Sequence, residues 1–351
     1  MAAAMEQGTD AFVPYIKICR APAAVTSAAE TRIPSKPKDR EVTTTSLTKS
    51  RGAGHAGDKV FSAATLAAGC LILVVLFGVA LFLVIQAVPA LVAPPDKIQG
   101  GEGFFTYIWP LVIGTLIASV IALVIATPIA IGVALFISHF APRKLASGLG
   151  YVIDLLAAIP SVVYGAWGVA FLAKEISPSY NWLANNMGWL PIFQGPASAT
   201  GKTILTAGIV LAVMVLPIIT SLTREIFLQT PKLHEEAALA LGATRWEMIR
   251  MTVLPFGRPG IISAVMLGLG RALGETMAVA LVLSSGVLTA SLIQTGNQTI
   301  AAEIALNFPE ASGLKVSTLI AAGLVLFVIT LGVNMIARGI ITRHKEFSGA
   351  N

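Results

Sequence analysis

Residues 108–138 read IWPLVIGTLIASVIALVIATPIAIGVALFIS, an apolar stretch with no charged side chain. About 20 apolar residues are enough for a helix to cross the roughly 30 Å hydrocarbon core of a bilayer, so this stretch can span. Five further blocks of the same kind lie near residues 62–90, 149–173, 203–227, 259–284 and 315–340. Backbone N–H and C=O groups find no water in lipid, so each block must satisfy them internally as a helix. Pro128, Pro160 and Pro217 fall inside three of the blocks. Each removes one helical hydrogen bond and favours a kink. The sequence therefore predicts an all-α membrane protein with six transmembrane helices.

The composition agrees. The 351 residues are 55% hydrophobic and only 12% charged, with a mean hydropathy of +0.80. A soluble domain carries about 25% charged residues, so this chain cannot clothe itself for water. Its net charge of +6 fits basic loops beside a membrane better than a nucleic-acid surface. Cys19 and Cys70 are the only cysteines, which excludes a disulfide scaffold and a multi-cysteine metal site. Residues 1–58 show no sustained apolar period and are expected to form a disordered cytoplasmic tail. The first apolar block starts too late and runs too long for a signal peptide. The transmembrane domain is expected over 59–345, with 346–351 as a short C-terminal tail.

Basic residues set the orientation. With the N-terminus in the cytoplasm, the inner loops hold Arg143, Lys144, Arg224, Lys232, Arg245, Arg250 and Arg258, and Arg338, Arg343 and Lys345 follow at the C-terminal end. The outer loops hold Lys97, Lys174, Lys202 and Lys315. This asymmetry predicts a multi-pass protein of a bacterial cytoplasmic membrane with both termini inside. Trp109, Trp182 and Trp189 then fall near the outer interface, where amphipathic rings settle.

The inner loop over 230–255 carries its own punctuation. Thr230 can cap a helix beginning at Pro231, where a missing N–H costs nothing. Gly242 suits the left-handed residue that closes it. Thr244-Arg245-Trp246-Glu247 forms a capping box for a second short helix, and Pro255 leads into the next span. The expected arrangement is helix, glycine corner, helix.

Glu236-Ala237-Ala238, then Gly242, then Leu254-Pro255 resembles the EAA loop of ABC importer permeases, which departs here only in having Thr252 where isoleucine is usual. Ala157-Ala158-Ile159-Pro160-Ser161-Val162-Val163-Tyr164-Gly165 and Gly270-Arg271-Ala272-Leu273-Gly274-Glu275-Thr276 resemble the signatures of the phosphate-permease family. The continuation Met277-Ala278-Val279 is closer to its PstC type than to its PstA type. The resemblance covers about residues 60–345. It implies a type I importer (MetI-like) fold, with an EAA helix that docks in a groove on a separate ATPase. The implied assembly adds a second permease (PstA-type), two ATPase subunits (PstB-type) and an external phosphate-binding protein (PstS-type). The chain is then a non-catalytic transport subunit that binds no cofactor, ATP and Mg being held by the partner ATPase.

Physical reasoning on the second signature points the same way. If the fifth span begins near Pro259, Arg271 lies about 18 Å along it, close to mid-membrane. An arginine there costs about 2.5–3.5 kcal/mol on insertion scales, so it should face a protein interior or a watered path. Glu275 follows at i+4, on the same helical face, and is placed to pair with it. A guanidinium fork matches phosphate oxygens in two-point contact. Glu275 either orients Arg271 or accepts a hydrogen bond from a protonated phosphate. Ser161, Tyr164 and Thr276 offer hydroxyls to an anion or to neighbouring backbone. Gly268, Gly270 and Gly274 line a path or permit tight helix packing, the second being favoured.

Other patterns fail. Gly201-Lys202-Thr203 looks like the end of a phosphate-binding loop, but Pro196 stands where that motif needs glycine. His234-Glu235 opens like a zinc-protease helix, but Ala238 replaces the second histidine. An ion-coupled carrier would need internal repeats and coupling-ion sites, and a membrane enzyme would need a clustered nucleophile, base or metal set. The sequence offers none of these. A permease for sulfate or molybdate keeps the EAA loop but not usually the signature around Arg271.

Overall fold

The computed structural model describes residues 55–98, 101, 103–284 and 289–345. The tail expected over 1–58 lies almost wholly outside the described residues, as does 346–351. The chain divides into two units, Met1–Ser62 and Ala63–Asn351, and of the first only the opening turns of one helix are described.

Among the described residues every regular element is helical. Helix α1 runs over His55–Val92 and a 3-10 turn follows at Pro95–Lys97. Helix α2 covers Phe104–Leu135 and ends in a π turn, Phe136–Phe140. Next come α3 (Arg143–Ala157), α4 (Ser161–Trp167), a π turn at Gly168–Leu172 and α5 (Ala173–Met187). Helix α6 (Ile204–Leu228) precedes two short helices, α7 (Lys232–Ala240) and α8 (Arg245–Met248). A π turn at Ile249–Val253 leads into α9 (Leu254–Leu273), followed by α10 (Met277–Val282), α11 (Ile300–Asn307) and α12 (Leu314–Lys345).

Among the described residues, five stretches are long and apolar enough to cross a membrane by themselves. The pair α3 and α4–α5, bent by 89°, makes a sixth candidate crossing. The expected third span is thus a broken one. Of the three prolines read as kinks, Pro128 and Pro217 sit inside unbroken α2 and α6, while Pro160 stands at the bend. The fifth span is not continuous to residue 284 either, since α9 stops at Leu273 and a short α10 resumes at Met277.

Helix α6 is the centre of the bundle: 67% of its apolar window is buried, against none of the corresponding window in α1. Its main neighbour is α2. Ala118, Ala122, Ala126, Ala130 and Ala134 recur at every fourth position of α2, on one helical face, and all are buried. Lipid supplies no hydrophobic force between helices, so close packing of small residues must hold them together. The approach is tight enough that a methyl added at Gly208 of α6 would stand 2.5 Å from Ile121 Cγ2.

A second cluster joins Ala87 and Ala90 of α1 to Phe104, Ile108 and Leu111 of α2, Ile300 of α11, and Ala321 and Ala322 of α12. The segments preceding α6 and α11 are tied by backbone bonds. Leu292 N–H donates to the Ile192 carbonyl at 2.8 Å, and Ser198 N–H to the Ile293 carbonyl at 2.9 Å. Within the segment preceding α11, Asn297 Oδ1 accepts the Thr289 N–H at 3.1 Å.

Candidate functional site

Two places carry the candidate residues. The first is the polar loop between α6 and α9. Helix α7 begins after Pro231, not at it, and Thr230 does not cap it. The Thr230 hydroxyl is buried and has no hydrogen-bond partner. The expected cap fails because Pro231 occupies the N-cap position itself, one residue beyond Thr230. The other end matches expectation. Gly242 has φ +90°, Ala243 N–H donates to the Ala238 carbonyl at 3.2 Å, and Gly242 N–H to that of Leu239 at 3.0 Å. These two bonds form a Schellman closure, for which a left-handed glycine is the least costly residue. The capping box is complete: Glu247 Oε2 accepts the Thr244 N–H at 2.8 Å, and Thr244 Oγ1 accepts the Glu247 N–H at 3.3 Å.

The loop has an inner and an outer face. Ala238, Met248, Ile249 and Val253 pack inward on Phe227 and on Ala134 and Leu135 at the end of α2. Glu236 and Ala237 face outward with Leu233, Leu241 and Trp246, and Leu241 is 90% exposed. Ala237 and Ala238 therefore differ in role: Ala238 is spent on the chain's own core, and only Ala237 is open to a partner. Leu254 and Pro255 begin α9 behind this platform, and Thr252, the departure from the EAA pattern, donates its hydroxyl to the Met248 carbonyl at 2.6 Å. A contact invisible in the sequence links the platform to α2: His139 Nε2, in the π turn, lies 3.5 Å from Glu235 Oε1. His139 is held in turn by Ser138, whose Oγ is 2.7 Å from its Nδ1.

The second place is formed where both broken spans meet. An unbroken helix would direct the N–H of residue 160 to the Leu156 carbonyl, and proline has none. The Leu156 carbonyl accepts the Ile159 N–H at 3.2 Å instead, together with the Tyr164 hydroxyl at 2.8 Å. Tyr164 thus fastens the bend, the backbone reading of its hydroxyl. On the other span, Gly274 ends α9, and Glu275 Oε1 accepts the Ala278 N–H at 3.3 Å, capping α10. Helix α4 packs on α10 so closely that a methyl added at Gly165 would stand 2.7 Å from Ala278 Cα. Ser161 and Thr276, both partly buried, lie at the first turn of α4 and at the residue preceding α10.

The expected Arg271–Glu275 pair is not formed. Among the described residues neither takes part in an ion pair. The helix ends between them, so the four-residue spacing no longer stacks the two side chains on one face. Glu275 is buried at 9% exposure while Arg271 is exposed. The glycines divide as well. A methyl at Gly268 would stand 2.7 Å from Val215 Cγ1, whereas one at Gly270 would meet nothing within 4 Å. Tight packing explains Gly268, while Gly270 has space around it and Gly274 ends α9 at a φ of −91° that any residue can adopt.

A multi-pass helical bundle with broken spans at its middle and an apolar-faced helical platform at one end defines a membrane permease domain. Residues 126–345 match the family described as binding-protein-dependent transport system inner membrane component. The chain belongs to this family. It is 47% identical over 297 residues to the phosphate transport system permease protein PstC 2 of Mycobacterium tuberculosis, covering 81% of this chain and 91% of that one. It is 45% identical over 273 residues to PstC of Mycobacterium leprae, covering 74% and 86%. PstC of Xylella fastidiosa is 40% identical over 271 residues, covering 72% and 82%. Among solved structures, a bacterial alginate ABC transporter in complex with a pentasaccharide-bound periplasmic protein aligns with TM-score 0.54 at 18% identity, over 82% of this chain and 96% of that one. Another alginate importer structure gives TM-score 0.51 at 19% identity, with the same coverage. These last two likenesses speak for the fold, which is that of ABC importer permeases.

Proposed function

We propose that this chain is the PstC-type permease subunit of an ATP-driven importer and moves inorganic phosphate across the cytoplasmic membrane by alternating access. The observation that carries the reading is the similarity to phosphate permeases over most of both chains. In this reading the chain is non-catalytic and binds no cofactor. ATP and Mg are held by two PstB-type ATPase subunits, beside a PstA-type second permease and a PstS-type external binding protein. Both termini and the α7–α8 loop lie in the cytoplasm, as the excess of basic residues there supports.

The outward apolar residues of α7 and its neighbours, around Glu236 and Ala237, are the docking surface for the ATPase. An amphipathic helix laid in a groove uses such anchors. Because the same loop packs through Ala238 and Met248 on α2 and α6, a pull on the loop moves the bundle rather than a free tether.

In the path, Arg271 meets the anion. It is the exposed cation beside the two breaks, and its planar fork suits phosphate oxygens. Glu275 and Tyr164 serve differently from a direct phosphate ligand: one caps α10 and the other fastens the bend before α4, so both position the segments around Arg271. Ser161 and Thr276 complete the polar lining at those helix starts.

The test is uptake of radiolabelled phosphate by cells lacking this permease, with the gene restored and with the Arg271→Ala variant. Restored uptake that arsenate blocks, and that excess sulfate and molybdate do not, is the expected result. Arg271→Ala should abolish uptake while the protein still reaches the membrane and binds its ATPase. Block by sulfate or molybdate would assign another oxyanion, and full uptake by the variant would remove Arg271 from the path.

A further inference from the structure

Where α2 and α12 begin, a cavity of about 340 Å³ is lined by Lys97, Ile98, Tyr107, Lys315, Thr318 and Leu319. Its walls come from three separated pieces of chain: the 3-10 turn before α2, the first turn of α2, and the first turns of α12. Ile98 and Leu319 are buried at 4% and 1% exposure and form an apolar floor. The two hydroxyls are already committed. Tyr107 donates to Glu303 Oε1 at 3.1 Å, and Thr318 donates to the Leu314 carbonyl at 3.0 Å. What the cavity still offers is two ammonium groups.

Neither lysine takes part in an ion pair among the described residues. Among the described residues, Asp96 is adjacent in the chain to Lys97, and Glu303 is occupied by Tyr107. Two like charges brought to one concavity repel, and the repulsion grows as water is displaced from between them. An anion between them reverses its sign. The volume lies at the small end of ligand pockets, which run to about 300–1,000 Å³, so it suits an oxyanion with its water or the head group of a lipid. The apolar floor beside the charges is suited to the second of these sources without excluding the first.

We infer that this cavity binds a phosphate-group anion through Lys97 and Lys315, at a site separate from Arg271. The anion is either free inorganic phosphate or the phosphodiester of an anionic phospholipid. The inference does not depend on what the permease translocates, since it rests on the cavity and its two cations alone.

The experiment uses the full chain purified in detergent, together with the K97Q/K315Q and K97R/K315R variants. Native mass spectrometry counts lipid retained after challenge with vesicles of phosphatidylglycerol or of phosphatidylcholine. Equilibrium dialysis measures binding of radiolabelled inorganic phosphate. The expected result is saturable binding of phosphatidylglycerol or of phosphate, weakened roughly thirtyfold in the glutamine pair, on the scale of two lysines near an anionic surface. The arginine pair and Arg271→Ala should retain it. Lysine-dependent retention of phosphatidylglycerol identifies a lipid site, and lysine-dependent dialysis binding identifies a free-ion site. Equal retention of phosphatidylcholine, binding unchanged in the glutamine pair, or no binding of either probe would overturn the inference. Because Arg271→Ala is included, loss of transport through the path and loss of this site read out separately.

Discussion

Gly165→Ala adds one methyl group at the point where α4 crosses α10. That methyl would stand 2.7 Å from Ala278 Cα and 3.1 Å from the Ala278 carbonyl oxygen. Carbon atoms rest against each other at about 3.5–4.0 Å, so the two helices must part by about 1 Å. The obstructing atoms belong to the backbone, and no change of rotamer relieves them. Overpacking of this kind costs about 1–3 kcal/mol. Gly270→Ala is the matched control from the other signature segment. A methyl there meets nothing within 4 Å, and alanine in a helix interior is favoured over glycine by about 0.5–1 kcal/mol. Thermal unfolding of the purified full chain, followed by tryptophan fluorescence, should move down for Gly165→Ala and stay level or move up for Gly270→Ala. Phosphate uptake measured alongside should fall only for the first. A Gly165→Ala protein that melts at or above the parent would refute the close crossing of α4 and α10.

The α7–α8 loop offers three further tests. Thr230→Val removes a buried, unpartnered hydroxyl and should hold or raise stability, by up to about 1–3 kcal/mol, whereas Thr244→Ala breaks the capping box and should lower it by about 1 kcal/mol; chemical unfolding of the two variants compares them directly, and a loss in Thr230→Val would mean that its hydroxyl has a partner. Glu236→Lys on the outer face and Gly242→Trp at a φ of +90° should leave the protein inserted but uncouple ATP hydrolysis from uptake, and normal uptake in both would detach this loop from the ATPase. His139→Ala and Glu235→Ala, alone and combined, should give a coupling of about 0.2–1 kcal/mol in a double-mutant cycle on unfolding, while strict additivity would show that the 3.5 Å contact contributes nothing.

Membrane helices are legible in a sequence because lipid forces each one to close its own backbone hydrogen bonds. The apolar blocks therefore placed α1, α2, α6 and α12 with little ambiguity, and local chemistry alone placed the corner at Gly242 and the capping box at Thr244. The alanine repeat from Ala118 to Ala134 was also present as a signal, every fourth residue of α2 being small, and it marks the face that receives α6. Thr230 shows the limit of local rules: a good capping residue stood one position too early, and Pro231 took its place.

What the tertiary structure decided is where spans break and which side chains then meet. Pro160, Pro128 and Pro217 are equivalent as letters, yet only Pro160 stands at a bend, where the Tyr164 hydroxyl reaches across to the Leu156 carbonyl. Arg271 and Glu275 are four residues apart, which means pairing in a continuous helix and separation once Gly274 ends it. The contact of His139 with Glu235 and the meeting of Lys97 with Lys315 join residues from distant parts of the chain. Such contacts have no signature in local composition, because they depend on how the helices pack and not on what any one of them contains.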